Sequence, residues 1–144
     1  ADTAIVAEHR ARMFEATGRI DSARGGAMIT LLEPILRPML ASGEYLGWLV
    51  VAEDESVIAG AGVQVRTLLP RPETDVPREA LVVNVYVEPA HRRQGLARRL
   101  MEAILSWSRE QGIERISLHA SVMGQPLYEA MGFVHSNEFV LYLK

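Results

Sequence analysis

The 144-residue chain contains no cysteine. That absence excludes disulfides, thiolate metal ligands and any reaction through an acyl-cysteine intermediate. No apolar run approaches the roughly 20 residues that span a bilayer, and no charged-then-apolar leader opens the sequence. Internal repeats and low-complexity tracts are missing as well. Charge of one sign is not in excess: 18 acidic against 15 basic residues leave a net charge of −3, which gives no general reason to expect nucleic acid. Together these absences predict a cytoplasmic location with no membrane and no nucleic-acid partner.

What is present is the composition of a globular domain, 49% apolar and 23% charged. The length suits a single domain spanning residues 1–144. Asp2 is placed to cap a helix carrying Ile5, Val6, His9, Met13 and Phe14, closed by Gly18. A second helical stretch runs from about Ser22 to Leu40, and Pro34 and Pro38 are expected to interrupt or kink it before Gly43 ends it. Tyr45–Glu53 and Val57–Leu69 read as a hairpin around "EDES", with Gly60 and Gly62 marking a bulge or a close backbone approach. The Pro-rich "PRPETDVPRE" reads as a flexible excursion.

Periodicity is clearer in the second half. Leu81–Val87 is a β-branched run suited to a buried strand. From Gly95 onward, Leu96, Leu100, Ile104 and Trp107 share a helix face until Gly112. Ile116, Leu118 and Ala120 then alternate with Ser117, His119 and Ser121, as in a strand. Strand, helix and strand in sequence form a βαβ unit, whose two strands are parallel with a right-handed crossover. In "GQPLYEAMGF", Pro126 suits a first helical turn and Gly132 a C-cap. Phe133–His135 and Phe139–Leu143 are expected to finish the chain as short strands.

Within "VNVYVEPAHRRQGLARRL", strand gives way to helix through a turn that gathers His91, Arg92, Arg93, Arg98 and Arg99 around Gly95. A turn after a parallel strand, running into a helix N-terminus, suits an anion, because free N–H groups and the helix dipole point at it. Gly95 lets backbone approach a phosphate, Ala97 keeps the helix start free of bulk, and Arg92, Arg93 and Arg98 add charge. The turn is neither a Walker A loop nor the three-glycine dinucleotide fingerprint. Taken alone, it reads equally as a solvated basic helix start.

"RRQGLA", Arg92–Ala97, followed about thirty residues later by "PLYEAMGF", Pro126–Phe133, resembles the GNAT N-acetyltransferase superfamily. Its acetyl-CoA signature, Arg/Gln-x-x-Gly-x-Gly/Ala, is matched by Arg92, Gly95 and Ala97, and the resemblance extends from about Tyr45 to the end. It implies an α/β (α+β) fold: a mixed, mostly antiparallel central sheet with a splayed central parallel β-α-β pair and helices on both faces. It implies acetyl-CoA as acyl-donor cosubstrate and no metal. The pyrophosphate would lie on the amides of Arg92, Arg93, Gln94, Gly95, Leu96, Ala97 and Arg98, and the pantetheine would pair with Val85, Tyr86 and Val87. Relatives usually begin with a strand before the first helix; Ala1 leaves almost no room for one, so that edge is absent or the sequence is incomplete.

With no cysteine, the amine attacks the thioester directly in a ternary complex, and a backbone N–H near Tyr86 or Val87 stabilises the oxyanion. The resemblance assigns Tyr128 the general-acid role, consistent with a phenol of pKa about 10; a packing tyrosine on a short helix is the bland alternative. Many relatives place a glutamate base on one of the two strands, where this chain has Asn84, able to hold a water, and His119, with an ordinary pKa of about 6.5. Glu79 and Glu138 are further candidates, and so is solvent. Ser121 stands where the family often has an asparagine touching the cosubstrate. The acceptor, a small-molecule or peptide amine, is expected among His9, Arg12, Trp48, Glu79 and Glu138, with Glu73 and Asp75 suited by charge to a cation. A homodimer is compatible with the resemblance. Two other readings stay open: a non-catalytic acyl-CoA-binding module of the same fold, and an anion- or nucleic-acid-binding domain.

Overall fold

A computed structural model of the chain describes residues 2–144. Two helices come first, α1 (Asp2–Ala16) and α2 (Ser22–Ser42); then β1 (Tyr45–Val51), β2 (Val57–Thr67), β3 (Arg78–Val87), α3 (Leu96–Glu110), β4 (Arg115–Leu118) and α4 (Gln125–Ala130). The strands form one sheet in the order β1-β2-β3-β4; the first two pairings are antiparallel and β3–β4 is parallel. The expected mixed sheet with its βαβ unit is therefore present, with helices on both faces. None of the described helices is long and apolar enough to cross a membrane.

Local chemistry accounts for the boundaries. Asp21 accepts from the Arg24 amide at 2.8 Å and starts α2, and Gly43 stops it in the left-handed conformation at φ 81°. The expected break at Pro34 and Pro38 does not occur: α2 runs through both. The prolines sit four residues apart on the exposed side, so the carbonyls of Thr30 and Pro34 that lose their helical N–H partners face water. The "PRPETDVPRE" segment is likewise not a free excursion. Leu68 donates to the Pro77 carbonyl at 2.9 Å, and Thr74 is buried with its hydroxyl on Glu114 at 2.6 Å.

One core lies between the sheet and α3: Ala59, Ala61, Val63, Ala80, Val82, Leu96, Leu100, Met101, Ile104 and Ile113. A smaller one, Val6, Ala7, Leu36 and Tyr45, lies under α1 and α2. Trp48 belongs to the α3 side, edge-on to Trp107 at 5.6 Å between ring centroids. Trp48, expected with His9 around the acceptor, is thus on the opposite side of the sheet from His9; Tyr45 and Leu49 face the N-terminal helices because side chains alternate along β1. A further correction concerns the C-terminus: Phe133–His135 and Phe139–Leu143 form no strand, and residues 134–144 run in irregular, exposed backbone. They have the composition of strands but form no ladder with the described sheet.

Candidate functional site

The site grows from a defect in β3. Gly60 pairs with Tyr86 and Gly62 with Val83, so three steps along β3 match two along β2. The extra residue is a bulge at Asn84, whose φ of 59° lies in the left-handed region that asparagine tolerates. The bulge shifts the alternation. Ala80 and Val82 face α3 before it, Val85 and Val87 after it, while Val83, Asn84 and Tyr86 face the N-terminal helices.

The bulge also falls where β3 and β4 separate. Their parallel ladder ends at Val82–Leu118, yet β3 continues to Val87. The Glu88 amide donates to Ile58 on β2 at 2.8 Å. Because strand residues alternate direction, the backbone groups of Val85 and Val87 point the other way, into the opening beside β4. The Val87 carbonyl is capped there by Arg92 Nε at 3.0 Å, and the Arg92 guanidinium also lies 5.9 Å from the Tyr86 ring centroid. Arg92 thus braces the turn instead of projecting its charge outward.

After Val87 a short 3₁₀ turn, Pro89–His91, leads to Arg93 at φ 63° and Gly95 at φ 76°. Two left-handed residues just ahead of a helix curl successive N–H groups into a concave nest that fits an anion. Gly95 caps α3 without any side-chain hydrogen bond, so the first-turn amides remain available to a ligand. Nothing lies within 4 Å of where a Gly95 side chain would begin; positive φ, not crowding, calls for glycine in the protein alone. Arg93, Gln94 and Arg98 are exposed around the nest, with Arg98 on Glu102 at 3.2 Å, while Leu96 is buried and anchors the helix start.

On α4, the Tyr128 ring packs against Phe133 at 5.8 Å and 70°, and joins the α3-side core. Burial pushes its hydroxyl above the ordinary phenol value, so it is protonated at neutral pH. Ser121 Oγ accepts from the Gly124 amide at 3.2 Å in the turn before α4. His119 and Glu138 are brought together, Nε2 to Oε2 at 2.7 Å, in an exposed position just past β4.

Two candidates stand elsewhere. Glu79 is fully buried in β3, not in the loop, between Arg115 on β4 and Arg66 on β2. Burial works to raise its carboxyl pKa, but the hydrogen bonds and charges of Arg115 and Arg66 outweigh that and hold it below the usual range. His9 is buried against Tyr86, 5.2 Å between centroids, and loss of solvation lowers its pKa, so it is neutral at pH 7.

Asn84 is engaged at both ends of its amide. It accepts from Arg10 Nη1 at 2.7 Å and donates to the Tyr45 hydroxyl at 2.8 Å. Arg12 meanwhile reaches Glu88 at 3.0 Å, tying α1 to the start of the signature turn. Sequence reading missed Arg10, Tyr45 and Glu88. Gly60 and Gly62 carried the signal: a Cβ on Gly60 would meet His9 Nδ1 at 2.8 Å, and one on Gly62 would overlap the Tyr45 hydroxyl. Between α1 and α2 a separate open cleft of about 370 Å³ is lined by Glu8, Glu15 and Glu33 together with Arg12.

A mixed sheet whose parallel pair parts beside a turn suited to an anion is an arrangement that can take an extended, phosphate-bearing ligand. The profile of the acetyltransferase (GNAT) family matches residues 19–133, and the chain belongs to that family. A crystal structure of a GCN5-related N-acetyltransferase from Ralstonia eutropha is similar at a TM-score of 0.90 and 34% identity, covering 99% of this chain and 92% of that one. A predicted acetyltransferase from Clostridium acetobutylicum, crystallised with acetyl-CoA, shares the fold at a TM-score of 0.85 and 24% identity, covering 99% of this chain and 90% of that one. Among curated relatives, the probable N-acetyltransferase family 8 member 5 of Mus musculus is 32% identical over 89 residues, which are 58% of this chain and 39% of the relative. The chain therefore spans well under half of that relative's length.

Proposed function

We propose that the chain, as one acetyltransferase domain, transfers the acetyl group of acetyl-CoA directly to a primary amine of a small molecule or peptide. The observation that carries this reading is the continuity of the opening beside Val85–Val87 with the nest at Arg93–Gly95. An amide-bearing arm can pair with the first as an added strand while its pyrophosphate sits on the second. The Clostridium relative crystallised with acetyl-CoA supports the same cosubstrate here.

In the proposed reaction the neutral amine attacks the thioester carbon, an N–C bond forms and the C–S bond breaks. The Val87 N–H, which faces the opening, stabilises the carbonyl oxygen as it becomes anionic. Tyr128 gives its proton to the departing sulfur. The ammonium proton leaves through His119, whose ring is held by Glu138, or through solvent. Asn84 positions the bulge that turns Val85 and Val87 toward the cosubstrate. Ser121 lies in the turn ahead of α4, beside the pantetheine path. His9 backs Tyr86 from the acceptor side.

A thiol-release assay with acetyl-CoA against amines, amino acids, polyamines, aminoglycosides and peptides tests the proposal. The protein adds no thiol of its own. Tyr128→Phe is expected to lower kcat about 10²–10⁴-fold while leaving acetyl-CoA affinity unchanged. Because burial raises the Tyr128 hydroxyl, the rate should hold through alkaline pH and fall only above about pH 10. Retained acetyl-CoA binding with turnover equal to buffer across the panel would instead assign a non-catalytic acyl-CoA-binding module.

A further inference from the structure

The opening beside Val85–Val87 exists because β4 leaves β3 at Val82–Leu118, and β4 is poorly equipped to hold that line by itself. Among the described residues it pairs only with β3, and it pairs in parallel, the weaker arrangement per residue. All four of its residues are half-buried. The contrast between a buried and a solvated face, which ordinarily sets a strand's register, is therefore slight.

Polar contacts supply what packing does not, and they lie at one end. Glu79, fully buried at the start of β3, meets Arg115 at the start of β4 and Arg66 on β2, and it accepts from Ser117 Oγ at 3.5 Å. Just before β4, Glu114 accepts from the Thr74 hydroxyl at 2.6 Å, and the Gln111 carbonyl accepts from Arg78 at 2.8 Å. Past Leu118 the pattern reverses. Among the described residues no hydrogen bond joins that stretch to β3 or to the turn after β3; His119 reaches Glu138, and Ser121 the Gly124 amide. β4 is thus clamped at its start and free where it borders the opening.

We propose that Glu79 is a positioning residue: through Arg115 and Ser117 it fixes the register and angle of β4, and so sets the width of the opening at the other end of the strand. A buried ion pair adds little net stability over an apolar replacement, and fixing register is its best-attested use. Leverage explains the reach of the effect. A strand advances about 3.3 Å per residue, so a small change of angle at Arg115 becomes a larger displacement beside Val85 and Val87. The consequence for acetyl-CoA rests on the function proposed above, whereas the consequence for β4 does not.

Glu79→Gln tests the proposal. It keeps the size of the side chain, and the Arg66 and Arg115 side chains, 45% and 30% exposed, regain water, so the fold is expected to persist. The absence of cysteine allows nitroxide labels at Ala90→Cys and Ala120→Cys, exposed positions that follow β3 and β4. Pulsed electron paramagnetic resonance should give a narrow distance distribution in the otherwise native chain and a broader or shifted one with Glu79→Gln. Glu79→Asp, which keeps the charge at shorter reach, should fall between them. Leu36→Ala, which opens the smaller core, is the control for stability lost elsewhere and should leave the distribution narrow. A distribution unmoved by Glu79→Gln, or broadened equally by Leu36→Ala, overturns the proposal. Should Glu79→Gln not fold, Arg115→Gln, which leaves Glu79 paired with Arg66, is read by the same criteria.

Acetyl-CoA gives the second readout. With the competent angle populated about a tenth of the time, its dissociation constant and KM rise about tenfold. The kcat at saturation is kept, because the bound arm restores the angle. Unchanged affinity beside a broadened distribution overturns the link to the opening. A native chain that binds no acetyl-CoA defeats the functional reading, and the distances without ligand still decide the role of Glu79.

Discussion

Against α3 the sheet presents Ala59, Ala61, Val63, Ala80 and Val82, and the helix meets them with Leu96, Leu100, Met101 and Ile104. Against α1 it presents Gly60, Gly62, Asn84 and Tyr86, and the helix meets them with Ala7, His9, Arg10 and Ala11. One face is an apolar jigsaw, the other small residues bridged by a hydrogen-bonded polar chain. The apolar face fixes the helix whose N-terminus forms the nest, so the nest is held by the larger of the two cores. The polar face holds the bulge, and under the proposed function it borders the acceptor.

The comparison is broken most severely from the apolar side. Ile104 is fully buried, and Ile104→Ala should cost about 2–5 kcal/mol in urea unfolding through lost transfer energy and a cavity. From the polar side, Asn84→Ala should cost about 1–3 kcal/mol, because it strands Arg10 and the Tyr45 hydroxyl and leaves alanine at positive φ. Asn84→Gly sharpens the point: it relieves the backbone term only, so it should fall between wild type and alanine. A cost for Asn84→Ala under about 0.5 kcal/mol would show that the polar chain is incidental. The smallest effect belongs to the turn between the two. Gly95→Ala and Gly95→Leu should destabilise by the same about 1–2 kcal/mol, since nothing crowds a side chain there. Acetyl-CoA affinity, measured by titration calorimetry, should fall further for leucine than for alanine. Equal affinities would remove the close phosphate approach from the proposed function.

The elements that periodicity and punctuation define locally were legible. Leu96, Leu100 and Ile104 announce α3, Gly95 and Gly112 bound it, and the following alternation announces β4. Glu79 was misplaced in a loop because its Pro-rich neighbourhood hides the strand, and its two arginine partners lie 13 and 36 residues away. Trp48 was grouped with His9 around the acceptor, although the two lie on opposite sides of the sheet, because alternation gives two faces without saying which helix covers each. Pro34 and Pro38 were read as breaks because a sequence does not show that both lie on the solvent side of α2. The nest itself was half legible: glycine at position 95 signals positive φ, while Arg93 at φ 63° carries no such signal.

By itself the sequence determined the βαβ unit, the signature turn, the absence of thiol chemistry and the family, since each depends on residues near one another along the chain. Only the tertiary structure decided that Asn84 is a bulge held by Arg10 and Tyr45, that Val85 and Val87 face the opening, that Arg92 braces the turn, and that Phe139–Leu143 forms no strand with the described residues. The physical reason is common to all four. Hydrogen-bond satisfaction and strand pairing depend on which distant segment occupies the neighbouring space, and neither periodicity nor composition encodes that distance.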